Sequence, residues 1–215
     1  MQTICAVIFD VDGLMFDSER VGKRILEKLN KQLSIPLTET WRQSICGKNE
    51  ETIRNELKKM FPDLDVVSYR NSFFENVQAI FHKRGAKCKK GLKALLKFLQ
   101  KNHIPMAIAS GSKLPHIKNL LAKAHIDTSI FSAIVCGSDN VLPKPHPDIF
   151  LKTCEHLHAN PEHTIVLEDS PNGILGAYKA GCIPIMVPDL IKPTPEIQTM
   201  CYKILPNLYK VRKEL

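Results

Sequence analysis

Two rhythms of hydrophobic and polar residues alternate along this chain. Residues 4–9 form a continuous apolar run, the pattern of a parallel strand buried on both faces, and the run stops at Asp10 and Asp12. From Ser18 to about Leu33 the spacing turns helical, with Ile25, Leu26, Leu29 and Leu33 on one face and Ser18 suited to cap the start. Ile35-Pro36 breaks that helix. Helical spacing then persists from Thr38 to about Arg84, through Trp41, Ile45, Ile53, Leu57, Met60, Phe73, Phe74, Val77 and Phe81. Pro62-Asp63 punctuates this region, and no convincing strand falls in it. Roughly seventy residues of helix after a single strand predict an inserted helical bundle.

After Gly91 the rhythm alternates. Leu92 to Lys101 reads as a helix, Pro105 to Ala109 as a strand, Leu114 to Ala124 as a helix and Ala133 to Cys136 as a short strand. A helix over Pro147 to Leu157 follows, with Pro147 suited to its first turn. Thr164 to Leu167 is a strand, Asn172 to Ala180 a helix stopped by Gly181, and Ile183 to Val187 a strand; Lys203 to Leu205 fits a last edge strand. This order predicts an α/β fold with a doubly wound, mostly parallel sheet and helices on both faces. The expected division is a core of residues 1–16 and 86–215 carrying a helical cap of residues 17–85.

Composition changes this picture little. Hydrophobic residues at 44% and charged residues at 24% are ordinary for a globular protein. No apolar run approaches the roughly 18–20 residues of a membrane span. The first residues lack the pattern of a signal peptide, so a cytoplasmic protein without a membrane partner is expected. Seven cysteines, none in a CxxC pair and odd in number, argue against a disulfide framework and against zinc. The net charge of +8 comes from dispersed lysines and arginines with no aromatic-interleaved patch, so nucleic acid is not an expected partner. A basic surface favours encounter with small anions.

Three predicted strand ends carry polar chemistry: Asp10 and Asp12, Ser110-Gly111-Ser112, and Glu168-Asp169. Strands of one parallel sheet bring their carboxyl ends to one edge, so these groups can converge. Asp10, Asp12, Glu168 and Asp169 are an oxygen-rich set suited to a hard cation such as Mg²⁺. Ser110-Gly111-Ser112 precedes a helix start, where hydroxyls and backbone N–H groups bind anions. Lys144, between Pro143 and Pro145, is a point charge that can hold a phosphate and offset carboxylates. Each piece alone has an ordinary reading as a turn, a helix cap or a solvated lysine. All four in this order point to a catalytic site.

The ordered set resembles the haloacid dehalogenase-like superfamily of phosphotransferases. Asp10-Val11-Asp12-Gly13 matches its first motif, Ser110 its second, Lys144 its third and Glu168-Asp169 its fourth. Asp17-Ser18-Glu19 after the first motif, with a helical block before the second, resembles the helical-cap subgroup, which includes sugar-phosphate phosphatases and β-phosphoglucomutases. The resemblance implies Asp10 as nucleophile, forming an aspartyl-phosphate, and Asp12 as general acid and then base. Asp12 would need a raised pKa relative to Asp10. Mg²⁺ would be held by Asp10, the Asp12 backbone carbonyl and Asp169, with Glu168 a direct or indirect ligand. Ser110, Gly111 and Lys144 would stabilise the transferring phosphoryl group, with Ser112 and Lys113 adding to the cradle. Asp17, Lys48, Asn49, Arg70 and Asn71 are candidates for the substrate pocket. The mutases of the family place a His in the helix after the first motif and an Arg in the early cap. Gly22 and Asn49 stand near those positions, which favours a phosphatase of small phosphorylated metabolites over a mutase. The oligomeric state, monomer or dimer, stays open.

Overall fold

The structure is a computed structural model that describes residues 4–38, 40, 41, 45 and 50–215. Six strands form one parallel sheet: β1 (Ala6–Phe9), β2 (Met106–Ser110), β3 (Ala133–Cys136), β4 (Thr164–Glu168), β5 (Ile183–Met186) and β6 (Lys203–Ile204). Their order is β3-β2-β1-β4-β5-β6. The chain thus winds outward from β1 in one direction and resumes at β4 in the other. That reversal leaves a crevice beyond the carboxyl ends of β1 and β4, where ligands bind in open α/β sheets.

The strands are apolar throughout because the sheet is covered on both sides. Val7, Phe9, Ile108, Ile165 and Leu167 pack with Leu92, Leu95, Leu96 and Leu99 of α4 (Leu92–Lys101) and with Ile117, Leu120 and Leu121 of α5 (Leu114–Lys123). The alternate residues Ile8, Ala107, Ala109 and Val166 face the other way. They meet Ile149, Phe150 and Cys154 of α6 (Asp148–Leu157) and Ala177 of α7 (Pro171–Lys179). Period-two alternation therefore sorts each strand between two cores, and each fully buried Leu or Ile contributes about 1.5–3 kcal/mol. Two short helices, α8 (Pro195–Met200) and α9 (Leu208–Glu214), complete the chain, α9 adding Leu208 and Val211 to the first core.

Between β1 and α4 lie α1 (Glu19–Gln32), α2 (Glu50–Met60) and α3 (Val66–Arg84). They bury a cluster of their own: Ile25, Leu26, Leu29, Ile53, Leu57, Val66 and Tyr69, joined by Trp41 and Ile45. Asp65 caps α3 by accepting from the Ser68 N–H at 3.0 Å, and α3 ends at Gly85, where φ is +66°.

Two local expectations need correction. Ser18 occupies the position before α1, but its side chain makes no capping bond. Its backbone is already helical (φ −81°, ψ −34°) and its buried side chain lies beside Asp12, so the hydroxyl does not turn back to the helix N–H groups. Pro147 stands at the cap of α6 rather than in its first turn, which begins at Asp148.

Candidate active site

The strand register sets the site. The Asp10 N–H donates to the Leu167 carbonyl at 3.1 Å, which carries the β1–β4 pairing one residue past Phe9 and sets Asp10 abreast of Glu168. Ser110 closes β2 on the other side of β1 and is 2% exposed. The loop ahead of α6 brings Lys144 across these ends. Its Nζ donates to Asp10 Oδ1 at 2.5 Å, to Glu168 Oε1 at 2.7 Å and to the Ala109 carbonyl at 3.1 Å, and it lies 5.1 Å from the centre of the Phe150 ring. One lysine thus ties together three adjacent strand ends.

Glu168 is held from both sides. Oε1 takes the lysine, while Oε2 accepts from the Asp169 N–H, the Ser170 N–H and the Ser170 hydroxyl, each at 2.9 Å. Ser170 in turn caps α7 by accepting from the Gly173 N–H at 3.1 Å. Gly173 is small for a local reason: a Cβ there would sit 1.8 Å from Glu168 Oε1. The residues that read as an ordinary helix cap therefore do cap the helix, and they fix Glu168 at the same time.

Asp10, Glu168 and Asp169 are buried, and one carboxylate oxygen from each lies within 4.8 Å of the others. Burial pushes the Asp10 carboxyl up to about 8; Lys144 opposes that shift, and Glu168 and Asp12 add to it. Asp169 is also raised well above the usual carboxylate range, by burial first and then by Glu168, Asp10, Glu19 and Asp189. Lys144 is held above its ordinary value because the attraction of Asp10 and Glu168 outweighs its burial. One ammonium cannot balance this much buried negative charge. The donor set fits a small divalent cation bound through oxygen.

Asp12 sits apart from the cluster. Ser112 Oγ donates to its Oδ2 at 2.6 Å, and Nε2 of His116 lies 3.2 Å from its Oδ1. The Ser112 N–H donates to Ser110 Oγ at 3.1 Å, so the loop after β2 is internally braced. The expected raised pKa for Asp12 is not what the structure gives. Burial works upward, but the His116 hydrogen bond, its charge and the Ser112 hydroxyl hold the Asp12 carboxyl below its ordinary value. Asp12 still acts on Asp10, but at Asp12 itself these donors set the direction.

The remaining candidates scatter. Gly111 and Lys113 are exposed at the start of α5. Asp17 pairs with Arg20 at 2.6 Å, and Arg20 also reaches Asp189 Oδ1 at 2.5 Å. Lys89 meets the same Asp189 oxygen at 2.5 Å, so this buried acid links the loop after β5 to both chain segments that join the helical block. Arg70 is 4% exposed, pairs with Glu50 Oε2 at 2.7 Å and lies over the rings of Phe73 and Phe74. It is packed among these helices, and Asn71 is exposed. Lys48 and Asn49 lie outside the described residues. A side chain at Gly22 would meet the Phe73 ring at 3.6 Å. Sequence reasoning missed His116, Arg20, Lys89 and Asp189. A histidine placed four residues after Ser112 at a helix start was the one available signal.

Among the described residues no helix is long and apolar enough to cross a membrane. Comparison with known proteins places this geometry in context. The chain is 29% identical over 199 residues to a Drosophila melanogaster protein named "Probable pseudouridine-5'-phosphatase", covering 88% of this chain and 84% of that one. It is 27% identical over 180 residues to the phosphorylated carbohydrates phosphatase of Thermotoga maritima, covering 82% and 81%. The β-phosphoglucomutase structure from Clostridium difficile superposes with a TM-score of 0.81 at 22% identity, over 99% of this chain and 95% of that one, a likeness of fold. The family model for haloacid dehalogenase-like hydrolases matches residues 7–187, a span that takes in Asp10, Ser110, Lys144 and Asp169. The three strand ends and the Lys144 loop thus lie inside one continuous match, and the chain belongs to the haloacid dehalogenase-like hydrolase family.

Proposed function

We propose that this protein is a Mg²⁺-dependent phosphatase of small phosphomonoesters that works through an aspartyl-phosphate on Asp10. The observation that carries this reading is the contact of Lys144 with both Asp10 and Glu168 beside Asp169, at the crevice between β1 and β4. The names of the relatives, "Probable pseudouridine-5'-phosphatase" and phosphorylated carbohydrates phosphatase, support the substrate class.

Asp10 attacks phosphorus, forming an O–P bond as the bond to the leaving oxygen breaks. Asp12 supplies the proton to that oxygen. It then takes a proton from the water that attacks the phosphoryl-Asp10, which releases phosphate and restores the carboxylate. The neighbours of Asp12 favour its ionised form. An incoming anionic phosphate disfavours that charge and helps Asp12 gain the proton it must donate. Lys144, Ser110 and the loop through Gly111 to Lys113 hold the phosphoryl oxygens.

Asp10, Asp169 and the Asp12 backbone carbonyl would hold the metal. Glu168, its oxygens already committed to Lys144 and three other donors, would act from behind by fixing Lys144. When bound, Mg²⁺ supplies positive charge that offsets the acidic cluster and the phosphate. Residues 17–85 act as a cap that closes over the crevice, and residues 1–16 and 86–215 form the core that does the chemistry. The separate cluster of Ile25, Leu26, Leu29, Ile53 and Leu57 supports that division.

A screen of sugar phosphates, nucleotides and other small phosphomonoesters tests the reading. Release of free phosphate that depends on Mg²⁺ is expected, and no release from any member of the panel would refute it. Conversion of β-glucose 1-phosphate to glucose 6-phosphate without free phosphate, followed by NMR, would instead make the protein a mutase.

Gly13 provides an independent check on the metal. Its φ is +85°, and a Cβ there would lie 2.1 Å from Asp169 Oδ2. Gly13→Ala therefore displaces Asp169 and lowers Mg²⁺ affinity by about tenfold or more. The measurement is Mg²⁺-induced thermal stabilisation. An unchanged Mg²⁺ dependence would contradict the role of Asp169.

A further inference from the structure

We propose that His116 is the positioning residue for Asp12, and that Phe81 of α3 braces it in that task. The inference rests on the phosphatase reading above and adds a residue to it. Asp12 is gripped at both carboxylate oxygens: Oδ2 by the Ser112 hydroxyl at 2.6 Å and Oδ1 by His116 Nε2 at 3.2 Å. Ser18 also lies close to this carboxylate, but Ser112 bonds only one of its oxygens. The second contact fixes its plane.

A proton-transfer group works only within hydrogen-bond reach of the atom it serves, so lost orientation reads out as lost catalysis. His116 is suited to this because its own place is fixed. Its backbone N–H donates to the Lys113 carbonyl at 3.0 Å in the first turn of α5. Its ring stands 5.3 Å from the Phe81 ring, tilted by 55°. Phe81 is 2% exposed and lies near the end of α3, which packs against α5. The orientation of Asp12 thus depends on a ring that leans on the helical block between β1 and α4. Phe81 is itself buried in the core beneath the sheet, with Ile117 and Leu120 of α5, so the brace is held by the core as well as by α3.

The test separates a positioning role from a merely structural one by the leaving group. Departure of an alkoxide needs the proton from Asp12, whereas p-nitrophenolate leaves without it. The measured quantity is kcat/KM, which reports the steps through leaving-group departure. It is determined for the best alkyl phosphate of the substrate panel and for p-nitrophenyl phosphate, in wild type, His116→Leu, His116→Gln and Phe81→Leu. In His116→Leu the alkyl-to-aryl ratio of kcat/KM is expected to fall roughly 30-fold. His116→Gln, which keeps a donor, should restore the ratio to within about fivefold of wild type. Phe81→Leu should lower the ratio in the same sense as His116→Leu. If His116→Leu fails to fold, the ratios in the other two variants decide. Equal losses on both substrates, or an unchanged ratio, would overturn the positioning role while leaving the phosphatase reading intact. A wild type inactive on both substrates would overturn the phosphatase reading and this inference with it.

Discussion

Asp10→Asn is expected to leave a folded protein whose turnover of any phosphomonoester is down by about 10⁴-fold or more. The amide has the size of the carboxylate and still offers Lys144 an acceptor at the position Oδ1 now holds, 2.5 Å from Nζ. It lacks the charge that makes the carboxylate a nucleophile. Asp10 is buried among acids, so the substitution also removes one repulsive partner of Glu168 and Asp169. Folding should survive where chemistry does not. Circular dichroism and a phosphate-release assay on the same sample check both halves. Retained turnover in a folded variant would exclude Asp10 as nucleophile.

Lys144→Met carries the second large effect, and it falls on stability. The ammonium contacts Asp10, Glu168 and the Ala109 carbonyl, and its side chain is 12% exposed. Without it the buried acids face each other unpaired, at a cost of about 3–5 kcal/mol. The cost depends on pH with a definite sign. Asp10 already has its pKa raised to about 8 by burial, and loss of Lys144 removes what opposes that rise. An acid whose folded pKa lies above its unfolded value binds protons more tightly when folded. Stability then falls as pH climbs from the unfolded pKa toward the folded one. Wild type follows the same fall up to its own value of about 8, so urea titrations without Mg²⁺ should show a deficit that widens above it, larger at about pH 9.5 than at about pH 6. Equal deficits at the two values would mean that the lost interaction is packing rather than charge.

Much of this was legible in the sequence, for physical reasons. Parallel strands buried on both faces leave unbroken apolar runs, and residues 4–9 and 164–167 stop at Asp10 and Glu168, acids that stay buried at the strand ends. The parallel topology then implies convergence of those ends, and the structure brings Asp10, Ser110, Lys144, Glu168 and Asp169 to one edge. What escaped was set by contacts between distant segments. His116 meets Asp12 across 104 positions of sequence, and nothing in a histidine on the first turn of a helix announces an acid as its partner. Asp189 meets Lys89 across 100 positions in the same way. The direction of the Asp12 pKa was misjudged for a related reason. The resemblance asks for a protonated Asp12, whereas the fold sets Ser112 and His116 against its carboxyl. Arg70 was a pocket candidate by position, but Glu50, Phe73 and Phe74 enclose it.

The central claim is that the phosphoryl group passes through Asp10, and the most direct measurement is to find it there. Asp12→Asn, incubated with Mg²⁺ and p-nitrophenyl phosphate, keeps a leaving group that needs no proton but lacks the base that activates water. Acid quenching followed by peptide mass mapping should then show one phosphoryl group on the peptide containing Asp10, and the double variant with Asp10→Asn should show none. A phosphoryl group on any other residue would contradict the account, as would substrate turnover in Asp12→Asn with no phosphorylated peptide at any time point.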